Sequence, residues 1–205
     1  MRNNEKNLGR PRAFEPEDFL KVAMECFWSN GYQGTSISSL MQASGLASAS
    51  IYKLYPDKRS VFFAALTQYM ETGLARLQQR SRELDPEAAL RETLEYGAML
   101  STGEAGKRGC LTIATATELL PGDREVQERV EFMFSGIRQN LETIFRRGQQ
   151  QQVFRSDTPA EVMAETVFML LEGMRVYGKV EPELENLKRT NDFIMRSVLQ
   201  RHAAS

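Results

Sequence analysis

Residues Gly34 to Lys58 read GTSISSLMQASGLASASIYKLYPDK, two short helical segments around a glycine. The spacing predicts that Thr35 N-caps the first, its hydroxyl accepting from an orphan backbone N–H. Ile37, Leu40 and Met41 then recur at i, i+3 and i+4 and form one apolar face. Gly45 suits the left-handed conformation that ends a helix, and Leu46 fills the angle between the segments. The second helix, Ser48 to Tyr55, is expected to turn Ile51, Leu54 and Tyr55 inward and Tyr52 and Lys53 outward. Pro56 stops it, because the residue before a proline avoids the helical region. Two short helices joined through glycine match a helix-turn-helix, whose second helix enters the major groove of DNA.

The rest of the chain supports a packed protein. It has 205 residues, 41% hydrophobic and 26% charged, with a net charge of −1, a composition that argues against global disorder. Charge is unevenly placed. Arg2, Lys6, Arg10 and Arg12 face only Glu5 among residues 1–12, a local excess of +3, and a basic arm acts locally whatever the net charge. Two cysteines, Cys26 and Cys110, and one histidine, His202, are too few for a disulfide framework or a cysteine–histidine zinc site. No apolar run approaches the ~20 residues of a membrane span, and the polar N-terminus has no apolar signal core. The expectation is a cytoplasmic protein without membrane, metal or cofactor.

Helical periodicity continues along the chain. Residues 1–13 read as a flexible basic arm. Pro16 opens a helix to Asn30 that buries Phe19, Val22, Ala23, Cys26 and Phe27, and Gly31 ends it. After the helix-turn-helix, Asp57 caps a long helix from Lys58 to about Ser81. Asp85-Pro86 opens another, to Leu100. Ser101 to Gly109, with three glycines, reads as a loop, and Cys110 to Leu120 as a helix stopped by Pro121-Gly122. Asp123 to Gln149 is long and amphipathic, with Gln149 to Gln152 as its fraying end. Thr158-Pro159-Ala160-Glu161 reads as a capping box for a helix to Lys179, and a last helix follows Pro182 to Gln200. Strand signals are weak, so the expected fold is all-α with about nine helices. The expected organisation is an arm over 1–13, a helix-turn-helix domain over 14–60 and a helical ligand-binding and dimerisation domain over 61–205.

Glu25 to Leu66, ECFWSNGYQGTSISSLMQASGLASASIYKLYPDKRSVFFAAL, resembles the tetracycline-repressor-like (TetR/AcrR) family of bacterial transcriptional regulators. The carrying elements are the Phe and Gly-Tyr ending helix one, Thr35-Ser36, Ser44-Gly45-Leu46, Ile51-Tyr52, and the step from Tyr55 to Lys58. Beyond this stretch the chain matches the family only in length and helicity. The resemblance implies a homodimer with two DNA-binding heads. It further implies a helical ligand pocket, a dimer interface made by the last two long helices, and release of DNA when a small molecule binds.

The expected DNA-reading residues begin with Ala47, Ser48, Ala49 and Ser50, whose small side chains permit close approach and contact with thymine methyls, bases or phosphates. Small residues also simply suit a helix start. Tyr52 resembles the family's phosphate-binding tyrosine. Lys53 is the only cation on its helix and a candidate for guanine or phosphate, with plain solvation as the alternative. Lys58, Thr35 and Ser36 combine polar groups with helix N-terminal amides, a phosphate-binding arrangement, and Gln42 lies near enough to reach the backbone. The reading helix has no Arg, Asn or Gln, so shape and phosphate contacts are expected to carry much of the affinity. Gly9-Arg10-Pro11-Arg12 resembles a minor-groove hook; a solvated tail is the alternative.

For the effector, apolar positions with a few polar groups are the candidates: Met99, Thr112, Thr115, Glu118, Phe132, Met133, Phe168, Met169, Glu172, Met174 and Tyr177. Plain core or solvated surface is the alternative for each. Cys110 follows Lys107-Arg108-Gly109 at a helix start, where cations and amides favour a thiolate. A redox or electrophile sensor is therefore one reading, a small buried hydrophobe the other. Enzymatic chemistry has no support: the one histidine lies in the tail, and no phosphate loop or dinucleotide fingerprint occurs. A DNA-binding regulator without a ligand remains the rival.

Overall fold

Phe19, Ala23 and Phe27 recur on one face of the first helix and are fully buried, and the rest of the molecule is built outward from them. A computed structural model describes residues 16–200. Its helices are α1 (Pro16–Gly34), α2 (Ile37–Ser44), α3 (Ser48–Leu54), α4 (Lys58–Glu83), α5 (Pro86–Leu100), α6 (Gly103–Arg108), α7 (Leu111–Leu119), α8 (Arg124–Gln150), α9 (Ala160–Tyr177) and α10 (Leu184–Val198). A single 3-10 turn, Gly178–Val180, follows α9. The nine expected helices are all present. The tenth, α6, is a six-residue helix inside the stretch expected to be a loop. Among the described residues the only β pairing is an isolated antiparallel bridge between Phe154 and Leu199.

Local sequence explains most boundaries. Asp57 accepts from the Ser60 amide at 2.7 Å and caps α4. Asp85 accepts from the Ala88 amide at 3.0 Å and caps α5, with Pro86 in its first turn. Asp123 does the same for α8 through Val126. Tyr55 is extended (φ −137°, ψ 126°), as a residue preceding proline should be. Four expectations change. Ser36, not Thr35, caps α2, in a reciprocal box with Ser39 (3.0 and 2.8 Å). Leu54 is 41% exposed rather than inward. The Thr158 box does not form: Pro159 precedes α9 in an extended conformation without a side-chain cap. Finally, Gln149 is not frayed; its Nε2 donates to the Arg155 and Thr158 carbonyls and ties the α8–α9 connection.

Two apolar clusters share α8. The first joins α1 to α4 with Leu111, Val126, Val130 and Met133, and is rich in aromatics. Phe27 and Phe62 meet edge-on at 5.1 Å between centroids, and Tyr32 lies 4.8 Å from Phe62. The second joins Leu90 and Leu94 of α5 to Leu141, Ile144 and Phe145 of α8, Val167 of α9 and Met195 of α10. Each fully buried large side chain contributes roughly 1.5–3 kcal/mol. Because the first cluster includes α7 and α8 residues, the helix-turn-helix is packed directly against the helices that follow it.

Candidate nucleic-acid interface and regulatory cavity

Ile51 is fully buried and fixes α3 by one face, so the opposite face is presented outward. Gly45, at φ 72° and ψ 6°, turns the chain between α2 and α3 and donates to the Met41 carbonyl at 2.8 Å. Only a residue without Cβ takes this conformation cheaply. Ala47, Ala49, Ser50, Tyr52 and Lys53 are exposed, and Ser48 is half-buried. Ser36, Ser38 and Gln42 expose the adjoining edge of α2. The resulting surface is narrow and small-residued, with an aromatic hydroxyl and one ammonium at its far end. Its shape suits entry into a groove, and its polar groups suit phosphate better than bidentate base contacts.

Two expected contacts have other employment. Thr35 is buried, and its hydroxyl donates to the Gly31 carbonyl at 2.7 Å and the Cys26 carbonyl at 3.2 Å. It closes the end of α1 instead of facing outward. Lys58 Nζ donates to the Tyr32 and Thr35 carbonyls at 2.9 and 3.0 Å and lies 4.2 Å from the centre of the Tyr32 ring. It is an internal strut holding α4 to the α1–α2 corner. Arg10 and Arg12 lie outside the described residues.

The same corner is gripped from the other side. Gly31 breaks α1 at φ 72° and ψ 177°, which leaves the next amides without helical acceptors. Glu118 of α7 supplies them: the Tyr32 amide donates to Oε2 at 2.9 Å and the Gln33 amide to Oε1 at 2.7 Å. A Cβ at Gly31 would lie 2.7 Å from Glu118 Oε2. Glu118, expected among ligand contacts, is thus a link between α7 and the DNA-facing helices. Arg59 makes a second link, donating in a fork to Asp123 at 2.7 and 2.8 Å and also to Glu125. This bond holds the Asp123 carboxyl down at about 2.

Behind these links lies a cavity of about 460 Å³, within the range for small-molecule sites. Met24 and Trp28 of α1, Tyr69, Gly73 and Leu77 of α4, Tyr96 and Gly97 of α5, Cys110 at the start of α7, Met133 and Ile137 of α8, and Leu171 of α9 form its largely apolar wall. Lys21, Gln68, Arg76, Arg80, Glu172 and Arg175 add polar groups. Trp28 Nε1, Gln68 Oε1, Arg80 Nε, Glu172 Oε2 and Arg175 Nη1 are buried with no hydrogen-bond partner. Such atoms cost about 1–3 kcal/mol each when left unpaired, so their convergence on one space is what a ligand site requires. Burial pushes the Glu172 carboxyl up to about 7, the charge of Arg175 offsetting part of the effect. Burial likewise raises the Tyr69 phenol, whose hydroxyl donates to Cys110 Sγ at 3.4 Å, and lowers Arg80, which stacks over Tyr96.

Of the expected ligand residues, Cys110, Met133 and Glu172 line this cavity. Met99 and Tyr177 do not: they are 54% and 51% exposed on the outer faces of α5 and α9. Phe132 and Met169 are exposed too. Thr112 and Thr115 are buried within α7. Phe168 packs edge-on against Phe134 at 5.2 Å, and Met174 sits in a small core with Ala98 and Leu187. Sequence reading missed Trp28, Tyr69, Tyr96, Arg80 and Arg175. Arg175 had a signal, lying three residues after Glu172 and so on the same face. Trp28 had none, since it belongs to the DNA-facing half.

The outer face of α9 carries Val162, Thr166, Met169, Gly173 and Val176 at alternating steps of four and three, all exposed. An added Cβ at Gly173 would meet nothing within 4 Å. On α10, Phe193 is 63% exposed. Apolar side chains at this spacing form a seam for a partner helix. No described helix is long and apolar enough to cross a membrane.

Residues 19–65 match the family model described as bacterial regulatory proteins, tetR family, and residues 86–194 match the tetracyclin repressor-like C-terminal domain. The chain is 24% identical over 184 residues to the HTH-type transcriptional repressor ComR of Escherichia coli, covering 89% of this chain and 88% of that one. It is 26% identical to the regulator YezE of Bacillus subtilis, covering 88% and 94%. Among solved structures, a cysteine mutant of the TetR family regulator CifR complexed with double-strand operator DNA superposes with a TM-score of 0.80 at 25% identity, covering 93% of this chain and all of that one. The small-residued reading helix, its buried anchor and the two matched regions lead to one conclusion: this chain belongs to the tetR family of bacterial regulatory proteins, and it is a DNA-binding transcriptional regulator.

Proposed function

We propose that the protein is a homodimeric repressor that reads a two-fold symmetric operator through α2 and α3 and is released when a small molecule fills the cavity behind α7. The observation that supports this most directly is mechanical. Cys110, at the start of α7, lines the cavity, and Glu118, near its end, holds the amides after Gly31. A ligand that displaces α7 by even a fraction of a hydrogen-bond length acts on the corner that positions α2. Ser36, Ser50, Tyr52 and Lys53 are the proposed DNA contacts, and the α9 seam the proposed dimer surface. Selecting DNA from sheared genomic fragments with the purified protein, then titrating the enriched site, tests the reading. A dyad-symmetric site is expected; fragments retained without sequence enrichment would contradict it.

A thiol-triggered mode is the second reading, favoured by one contact. Cys110 Sγ stands at the N-cap position of α7 and accepts from Tyr69, so a covalent adduct there would push the same helix. Treating the operator complex with N-ethylmaleimide tests it: release by the wild type but not by Cys110→Ser supports the thiol route, and equal release by both removes it.

A further inference from the structure

We infer that the cavity accepts an organic anion: an apolar, aromatic-sized body carrying one carboxylate or sulfonate, held by Arg175 and Arg80. The inference rests on the sensing role proposed above for the same cavity and narrows its ligand. Charge around the space is lopsided. Arg76, Arg80 and Arg175 line it, with Lys21 already paired to Asp18, against the single carboxyl of Glu172. No ion pair joins Glu172 to Arg175 among the described residues, so the acid does not consume the base.

Arg175 is the informative residue. It is only 8% exposed. Its Nη2 donates to the Gly109 carbonyl, which fixes the guanidinium plane, and its Nη1 is buried without a partner. A fixed guanidinium with one free N–H edge is suited to an oxyanion. Arg80 lies over Tyr96, 4.8 Å from the ring centre, and its Nε is also unpaired. Trp28 Nε1 adds a third unpartnered donor. Each lacks an acceptor, and an anion in the cavity that Trp28, Arg80 and Arg175 line can supply one. A cationic ligand would meet three arginines, Arg76, Arg80 and Arg175. Leu77, Met133, Ile137 and Leu171 provide the wall for the apolar body, and Glu172, protonated in part near neutrality, can donate to the same oxyanion instead of repelling it.

A matched pair of fluorescent probes tests the charge preference on the full chain. Anilinonaphthalene sulfonate is the anion, and phenylnaphthylamine is its skeleton without the sulfonate. The expected result is about tenfold or more tighter binding of the sulfonate, with the gap closing in Arg175→Gln and in Arg80→Gln. Arg175→Gln also removes the bond to Gly109. If that variant melts early, Arg80→Gln carries the test, because its guanidinium makes no hydrogen bond among the described residues. Gly73→Leu, which projects into the cavity, should abolish binding of both probes. Equal affinity of the two probes in the wild type, with both lost in Gly73→Leu, would overturn the anion preference and leave the cavity as a ligand site. Failure of both probes, or binding unchanged in Gly73→Leu, would overturn the sensing role itself.

Discussion

The carboxylate of Glu118 accepts from the amide of Gln33 at 2.7 Å across 85 residues of sequence. One oxygen serves Gln33 and the other serves Tyr32, so a single side chain of α7 closes the broken end of α1. These bonds are charge-assisted and partly solvent-exposed, worth about 1–2 kcal/mol together. Glu118→Ala should therefore lower the melting temperature modestly but reduce effector-induced release of DNA strongly. Operator titrations with and without a cavity ligand measure it; a full response in Glu118→Ala would remove this link from the account.

Gly31→Ala probes the same corner from the other side. The backbone sits at φ 72° and the new Cβ would lie 2.7 Å from Glu118 Oε2. A loss of about 1 kcal/mol or more is expected from the positive φ alone, measured by chemical denaturation. An unchanged midpoint would mean that the corner relaxes freely.

Lys53 and Lys58 separate by their surroundings. Lys53→Ala should weaken operator binding and reduce the salt dependence of affinity by about one counterion, with stability unchanged. Lys58→Met removes two backbone hydrogen bonds and a cation–π contact. It should lower stability by about 1–3 kcal/mol and leave the salt slope near its original value. The opposite pattern would place Lys58, not Lys53, on the phosphates.

Glu172 gives the protein a pH dependence. Its carboxyl is raised from 4.5 to about 7 by burial, and it faces Arg175 on its own helix, Tyr69, Arg76 and Arg80 on α4, Tyr96 on α5, Cys110, and Lys21 on α1. The folded state holds this proton more tightly than the unfolded state. Stability from this group is therefore complete below about pH 4 and is lost as pH rises through 7. Glu172→Gln should be near neutral at pH 4 and stabilising by about 1–3 kcal/mol at pH 8. Parallel melting curves across that range for wild type and variant would contradict the burial argument.

Met169→Arg places a charge in the middle of the α9 seam, next to its symmetry mate in a two-fold dimer. Sedimentation should show monomers, and operator affinity should fall by orders of magnitude because half-sites are then bound singly. A dimeric variant would move the interface elsewhere.

The helices were legible because their signals are local. Asp57 and Asp85 cap what they were expected to cap, and Gly45 turns where it should. Thr35 and Ser36 were harder to separate, since adjacent hydroxyls offer the same cap and only the packing of α1 decides which is buried. Lys58 and Glu118 look like surface charges until the Gly31 break brings backbone groups to them. The cavity was the least legible part. Its walls come from α1, α4, α5, α8 and α9, and of the missed residues that define its chemistry only Arg175, one turn after Glu172, left a local signal. Long-range convergence of this kind leaves no periodicity in the chain.

Ser50 lies in the middle of the outward face of α3. It is exposed on α3 and makes no side-chain hydrogen bond among the described residues. Ser50→Glu should fold and dimerise as the wild type does, but set a carboxylate against the phosphates that the reading face approaches. Binding to the selected operator, measured at fixed salt, is predicted to fall at least about 100-fold. Wild-type affinity in a well-folded Ser50→Glu protein would mean that α3 is not the DNA-reading helix.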